Sequence, residues 1–228
     1  MNAFYGKSQV VFDLALEVEH GKIVALLGRN GAGKTSTLIS IAGSPAISVS
    51  AERLQLDGVE VSHLPAFRRV RAGISFVPSG SRAFPNLTVH ENLAMVRGGA
   101  NSGRGEWTIP RVYEAFPQLA ALRGSSGGTL SGGERQMLAV ARALVANPKV
   151  LMLDEPSEGL GPIIVRQIGT MLRELADRGL AVLLTEQNHR LALEVADHAS
   201  FIEKGQILWS GDARAASDDA VVARYLAV

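Results

Sequence analysis

The stretch Gly28-Arg29-Asn30-Gly31-Ala32-Gly33-Lys34-Thr35 constrains this chain more than any other. It has the form G-x-x-x-x-G-K-T. An apolar run, Ile23-Val24-Ala25-Leu26-Leu27, precedes it, and a helix-compatible run, Ser36-Thr37-Leu38-Ile39-Ser40-Ile41-Ala42, follows. Strand, glycine-rich loop and helix form the context in which this pattern, the P-loop, cradles phosphate. Gly28, Gly31 and Gly33 put no Cβ in the way, so successive N–H groups can turn inward around an anion. The N-terminus of the following helix adds its dipole. Lys34 brings a full positive charge for the outer phosphates, and Thr35 offers a hydroxyl to Mg²⁺, which takes oxygen ligands.

Composition bounds the rest. With 228 residues the chain suits one large domain, or a core carrying a small subdomain. Lys and Arg total 23 against 22 Asp and Glu, a net charge of +1, so nothing favours a nucleic-acid-coating surface. There is no cysteine, which excludes disulfides and thiolate metal sites, and the 5 histidines lack metal-ligand spacing. No apolar run approaches the roughly 18 residues of a spanning helix, and Met1-Asn2-Ala3-Phe4-Tyr5-Gly6 lacks a signal-peptide layout. Any membrane role is therefore expected to run through a partner. A hydrophobic fraction of 46% with few aromatics fits an α/β core of Val, Leu, Ile and Ala.

Leu14, Leu16 and Val18 alternate with polar or small residues and predict a half-buried strand. From spacing alone Tyr5 reads first as an edge-strand aromatic, the alternative being a ring on which adenine stacks. Residues 44–50 read as a polar loop, and 53–56 as a strand ended by the turn Asp57-Gly58. A short basic helix follows over 65–71, then a strand over 73–77 stopped by Pro78-Ser79-Gly80. Beyond it the parallel-strand pattern ceases. Thr88-Val89-His90-Glu91 is a capping box opening a helix through Met95, 98–105 is a glycine-rich connection, and 111–122 is a helix bent near Pro117. Residues 80–130 therefore read as a helical insertion. Leu130-Ser131-Gly132-Gly133-Glu134 starts a long helix to Asn147. Val150-Leu151-Met152-Leu153 is a continuous apolar strand of the kind buried on both faces of a parallel sheet. A helix over 163–178, a strand over 180–185, a helix over 189–196, a hairpin about Lys204-Gly205-Gln206 and a short helical tail complete the chain.

In an open α/β sheet, ligands sit beyond the carboxyl ends of the strands. Gly28, Asp154 and Gln187 each follow an apolar strand at that edge. Asp154 is placed to hold Mg²⁺ directly or through water. Glu155, one residue on, is placed to orient and polarise a water attacking the terminal phosphate. The alternative is a solvated acidic pair capping a strand. Ser131-Gly132-Gly133 at a helix start combines a hydroxyl, bare N–H groups and a dipole. It is either a loop into a helix or a second anion site, useful if it serves the nucleotide of another copy.

With these residues in place, the chain resembles an ATP-binding-cassette (ABC) ATPase subunit. Leu130-Ser131-Gly132-Gly133-Glu134 matches that family's L-S-G-G-[EQ] signature, between the P-loop and Leu151-Met152-Leu153-Asp154-Glu155-Pro156. The resemblance implies an α/β P-loop NTPase core with a mostly parallel sheet and an antiparallel N-terminal β subdomain. That core would comprise 1–79 and 131–228, with a helical subdomain over 80–130, all in one domain spanning 1–228. It implies ATP and Mg²⁺ as ligands, bound by Gly28, Arg29, Asn30, Gly31, Ala32, Gly33, Lys34, Thr35 and Ser36 of one copy and by Ser131, Gly132 and Gly133 of a second ATPase subunit, a homodimer or a paralogue pair. Catalytic roles then fall on Glu155, Lys34 and Gln187, metal-side roles on Thr35, Asp154 and Ser79, and adenine stacking on Tyr5. Residues 157–160 would cross the dimer seam. Residues 82–91, beginning at Arg82, would grip a transmembrane permease on the cytoplasmic face of the membrane.

Tyr5-Gly6-Lys7, Phe84-Pro85-Asn86-Leu87-Thr88-Val89, Glu155-Pro156-Ser157-Glu158-Gly159-Leu160 and Thr185-Glu186-Gln187-Asn188 resemble the ATPases of branched-chain amino acid importers, which act with a solute-binding protein outside the membrane. ATPases of urea and short-chain amide importers are similar, and a low-turnover ATP-dependent dimerisation switch is the other alternative. Three departures stand out. Ser79 replaces the usual Gln and is too short to reach metal and water directly. Gln187 replaces a phosphate-contacting His, as is usual in this branch. Only four residues precede Tyr5, so the strand expected there would be cut short and the edge of the nucleotide-binding sheet weakened.

Overall fold

The computed structural model describes residues 1–80, 83–98, 106–216 and 225. Arg82, most of the 98–105 connection and most of the tail lie outside the described residues. Among those described, strands run over Asn2–Tyr5 (β1), Ser8–Val11 (β2), Ile23–Leu27 (β3), Ser48–Ser50 (β4), Gln55–Leu56 (β5), Val59–Glu60 (β6), Ile74–Val77 (β7), Val150–Asp154 (β8), Ala181–Glu186 (β9), His198–Glu203 (β10) and Gln206–Asp212 (β11). The α-helices are Lys34–Ala42 (α1), Ala66–Ala72 (α2), Val89–Ala94 (α3), Ile109–Ala115 (α4), Pro117–Ala121 (α5), Gly132–Val145 (α6), Pro162–Asp177 (α7), His189–Val195 (α8) and Ala213–Ala216 (α9).

The main sheet has the order β11-β10-β3-β9-β8-β7, parallel except for β11, which pairs antiparallel with β10. Its middle strands are continuous apolar runs because helices cover both faces. Ile23, Ala25 and Leu27 of β3 pack into the cluster that holds Leu138, Leu144 and Leu172, while Val24 and Leu26 face the opposite side, where Leu38 and Ala32 lie. A second sheet, β2-β1-β4, is antiparallel, and β5 and β6 form a separate hairpin. This mixture of a mostly parallel sheet, a small antiparallel sheet and covering helices is the α/β P-loop architecture expected. Between residues 83 and 130 the described chain contains no strand, and Val89, Leu93, Val112, Phe116 and Leu119 bury against the same cluster as α6.

Local expectations fail at four places. Residues 14–18 keep their alternation of burial but join no ladder: Leu14 exchanges backbone bonds with Met1, and Leu16 and Val18 pack onto the core beneath. The period came from packing, not from strand pairing. Residues 48–50 are a strand, not a loop, because β1 offers them a free edge, with Asn2 opposite Ser50. β1 is thereby the middle strand of its sheet, flanked on both sides, and the weakened edge expected there is not found. The helix expected to bend near Pro117 is two helices, α4 and α5, parted at Phe116 (φ −126°, ψ 71°). Proline drives the residue before it out of the helical region.

A candidate nucleotide site at the carboxyl edge of the sheet

Register assembles the site. Leu27 of β3 lies opposite Glu186 of β9, and Asp154 of β8 opposite Thr185 of β9, so three strands end in line. The glycine-rich loop leaves β3 there and enters α1, whose N-cap, Gly33, supplies no side-chain bond. The first-turn N–H groups of a helix have no partner within it, so this terminus is open to an anion. The glycines serve different needs. A Cβ on Gly28 would collide with the Ile202 carbonyl oxygen of β10, so packing of the sheet by itself already demands glycine there. Gly33, at φ 108°, holds a left-handed turn that few other residues adopt.

A cavity of about 600 Å³ opens at this edge, lined by Asn30, Gly31, Gly33, Lys34, Thr35 and Ser36, by Ser79 and Glu155, and also by Gln9, Val10, Phe12, Glu158 and Lys204. Lys34 is 4% exposed. Its ammonium donates to the carbonyls of Gly28 (2.8 Å) and Arg29 (3.1 Å) and pairs with Glu155 Oε1 at 2.8 Å. Asp154, 2% exposed, stands behind the wall. Thr35 Oγ1 lies 2.9 and 3.1 Å from its two carboxylate oxygens, and Thr185 Oγ1 donates to Oδ1 at 2.7 Å. A buried ammonium at a helix N-terminus suits a polyphosphate. A hydroxyl beside a carboxylate is the all-oxygen donor set that Mg²⁺ takes. Among the described residues no cluster of three or more His, Asp or Glu could hold a metal alone, so a cation here would need phosphate and water oxygens as well.

The structure therefore brings Lys34, Thr35, Asp154 and Glu155 together and puts Ser79 on the same wall. It does not bring Gln187, which is exposed and off the cavity wall, or Tyr5, which is 41% exposed. The aromatic ring on the wall is Phe12. Ser131, Gly132 and Gly133 lie elsewhere. The Ser131 hydroxyl accepts from Glu134 N (3.3 Å) and the Glu134 carboxylate accepts from Ser131 N (2.7 Å), a complete capping box. A Cβ on Gly133 would come within 2.6 Å of Ile164, so this glycine lets α6 meet α7.

Sequence reasoning missed Phe12, Lys204, Thr185 and Glu186. Lys204 read only as a hairpin turn. Gly205 N donates to the Ala32 carbonyl (2.8 Å), bracing that turn against the glycine-rich loop, a contact that follows from β10 lying beside β3. Thr185 read as the end of a strand and Glu186 as the residue after it, within a stretch that carries the family resemblance but with no role for either side chain. Glu186 is 2% exposed, and burial pushes its carboxyl above the usual range, outweighing the bonds from Ser157 and Asn188.

Comparison with known proteins matches this geometry. A family described as ABC transporter fits residues 11–158. The high-affinity branched-chain amino acid transport ATP-binding protein BraG of Pseudomonas aeruginosa is 43% identical over 210 residues, covering 91% of this chain and 88% of that protein. The probable branched-chain amino acid transport ATP-binding protein LivF of Archaeoglobus fulgidus is 38% identical over 214 residues, covering 93% and 90%. The lipopolysaccharide export system ATP-binding protein LptB of Escherichia coli is 39% identical over 210 residues, covering 91% and 86%. Among solved structures, a nucleotide-free ATP-binding cassette from an ABC transporter superposes with a TM-score of 0.81 at 24% identity, covering 100% of this chain and 96% of that one. An ATP-binding cassette in its ADP conformation also gives 0.81, at 22% identity, covering 100% and 98%. At such identities the two structures speak for the fold alone. The relatives and the family match carry the rest: this chain belongs to the ABC transporter family, as the ATP-binding subunit of a transport ATPase.

Proposed function

We propose that this chain hydrolyses Mg²⁺-bound ATP to power an importer of branched-chain, hydrophobic amino acids. The observation that carries the hydrolytic part is the convergence of Lys34, Thr35 and Glu155 on one cavity, with Asp154 bonded to Thr35 behind its wall. Lys34 and the first-turn N–H groups of α1 would bind and orient the phosphates. Thr35, and Asp154 directly or through water, would hold Mg²⁺, and Ser79, on the same cavity wall, would fix a bridging water. The cation neutralises developing charge on the phosphate oxygens. Glu155 would orient the attacking water, in line with general-base chemistry from a carboxylate. Gln187, exposed and off the cavity wall, would donate an amide hydrogen bond to phosphate once the cavity is filled and the second subunit closes, and Tyr5 would stack on adenine. Signature residues Ser131, Gly132 and Gly133 would close over the nucleotide of a second ATPase subunit.

Support for the substrate is the 43% identity to BraG and 38% to LivF. A second reading, an ATPase serving an exporter, draws on the 39% identity to LptB over an equal length. On either reading the partners are transmembrane permease subunits gripped by the 82–91 segment, since no helix among the described residues is long and apolar enough to cross a membrane. The subunit would then sit peripherally on the cytoplasmic face. The test is to tag the protein in its own cell, solubilise membranes gently and identify what co-purifies. Two permeases, a paralogous ATPase and an amino-acid-binding receptor support the importer. Export components, amide or urea transport components, or recovery from the soluble fraction alone would each overturn the amino acid assignment.

A further inference from the structure

Glu155 occupies an expensive backbone conformation. Its φ is 46°, in the left-handed region that a residue with a Cβ seldom adopts. Such a conformation persists only where the surroundings over-determine it. Glu155 N donates to the Thr185 carbonyl at 3.0 Å, which fixes one side of the residue. On the other side Pro156 has no N–H, so the first donor after Glu155 able to anchor the loop is Ser157 N. That group donates to Glu186 Oε1 at 3.0 Å. The other oxygen of the same carboxylate, Oε2, accepts from Asn188 N at 3.3 Å. Glu186 is 2% exposed and does not line the cavity, so it is no candidate for the reacting carboxylate itself. Its neighbour Thr185 holds Asp154 through its hydroxyl and Glu155 N through its carbonyl, so adjacent β9 residues secure the two acidic positions and the loop that follows them.

We propose that Glu186 is the positioning residue for Glu155: from the end of β9 its carboxylate pins the loop that follows Glu155 and ties it to the turn carrying Gln187. The proposal rests on the reading of Glu155 as the group that orients the attacking water. It gives a buried acid a task that hydrophobic packing could not perform, since both oxygens are spent on backbone donors of two different loops.

Steady-state ATP hydrolysis, ADP binding by calorimetry and thermal melting of the full chain test it in Glu186→Gln, Glu186→Ala and Glu155→Gln. Because small displacements of a reacting group are costly, Glu186→Ala should lose about tenfold or more in kcat. KM and ADP affinity should stay within about twofold, because the phosphate cradle is untouched. Glu186→Gln should recover part of the loss, since its amide oxygen still accepts from Ser157 N. A wild-type kcat in both Glu186 variants overturns the proposal, as does a loss matched by an equal loss of ADP-binding competence, the mark of a merely structural role. Should Glu186→Ala fail to fold, Glu186→Gln decides alone: reduced kcat at unchanged ADP affinity supports the role, and unchanged kcat removes it. Wild-type turnover in Glu155→Gln would instead sink the reading of Glu155, a different outcome from an inactive Glu155→Gln beside fully active Glu186 variants.

Discussion

At the scale of single residues, the Lys34–Glu155 ion pair is the feature with the most consequences. At 2.8 Å, with side chains only 3% and 14% exposed, the two charges neutralise one another within the cavity. A phosphate taken up by the loop, as proposed, would compete with Glu155 for the same ammonium. Glu155→Gln should therefore do two things. Turnover should fall by about a hundredfold or more, as expected for loss of general-base assistance. ADP affinity should rise several-fold, by roughly 1 kcal/mol, because a buried cation without its partner gains more from an anion. Calorimetry with ADP, which is not hydrolysed, isolates the second effect, and unchanged affinity would remove the competition. Thr185→Val addresses Asp154 in the same way. It keeps shape but deletes the 2.7 Å donor to a carboxylate that is 2% exposed. Urea denaturation should show a loss of about 1–3 kcal/mol. A neutral result would mean that Asp154 finds another donor.

Elements meet in ways that join distant parts of the chain. α6 starts at the signature serine and ends beside the segment proposed to grip the permease. The Arg142 guanidinium, near its end, lies 5.0 Å from the centre of the Phe84 ring, and Phe84 is 45% exposed. Asn92 of α3 holds Phe84 in place, accepting from its N–H (2.8 Å) and donating to its carbonyl (3.1 Å). Movement of Phe84 would thus bear on the helix that carries Ser131. A double-mutant cycle of Phe84→Ala and Arg142→Met, read by chemical denaturation, should return a coupling of about 0.5–2 kcal/mol. Additive losses would show the ring and the guanidinium to be independent.

At the opposite edge of the sheet Asp197, in the turn before β10, ties the start of β3 to α7. It accepts from Ile23 N (2.9 Å), Arg173 Nη1 of α7 (2.9 Å) and Lys22 Nζ (3.2 Å). Burial pushes its carboxyl up, but the bond from Ile23 N and those from Arg173 and Lys22 together hold it below its ordinary 3.8. A depressed carboxyl stabilises the fold above its unfolded value, and that contribution is lost as pH falls through the folded value. Stability of the natural chain should therefore fall more steeply below about pH 4 than that of Asp197→Asn, measured by urea denaturation across the acid range. Parallel pH profiles would contradict this.

For the whole molecule, the notable fact is that Ser131–Gly133 do not line the cavity at the carboxyl edge of the sheet in one copy. The proposed function then needs a second subunit to complete each site. Light scattering of the Glu155→Gln chain with ATP and Mg²⁺ should show dimers. Adding Ser131→Arg should leave monomers whose ADP affinity is unchanged. Dimers that survive Ser131→Arg would place the contact elsewhere.

Read alone, the chain of residues determined the P-loop, its flanking strand and helix, the buried strand ending at Asp154, the capping box at Thr88 and the helix that starts after Ser131. Each depends on neighbours within a few residues, and local sterics and hydrogen bonding decide such features. What required the tertiary structure was every property that depends on which strands lie side by side. Gly28 is needed because β10 runs against β3, and Lys204 reaches the cavity for that same reason. Residues 48–50 became a strand because β1 had an open edge, and 14–18 did not because their alternation came from packing onto a core. Glu186 reads as a residue just past a strand until the register of β9 against β8 brings its carboxylate to the backbone of the loop after Glu155. Periodicity and motif spacing report short-range geometry, whereas a buried polar group acquires its role only from partners that the fold brings from far along the chain.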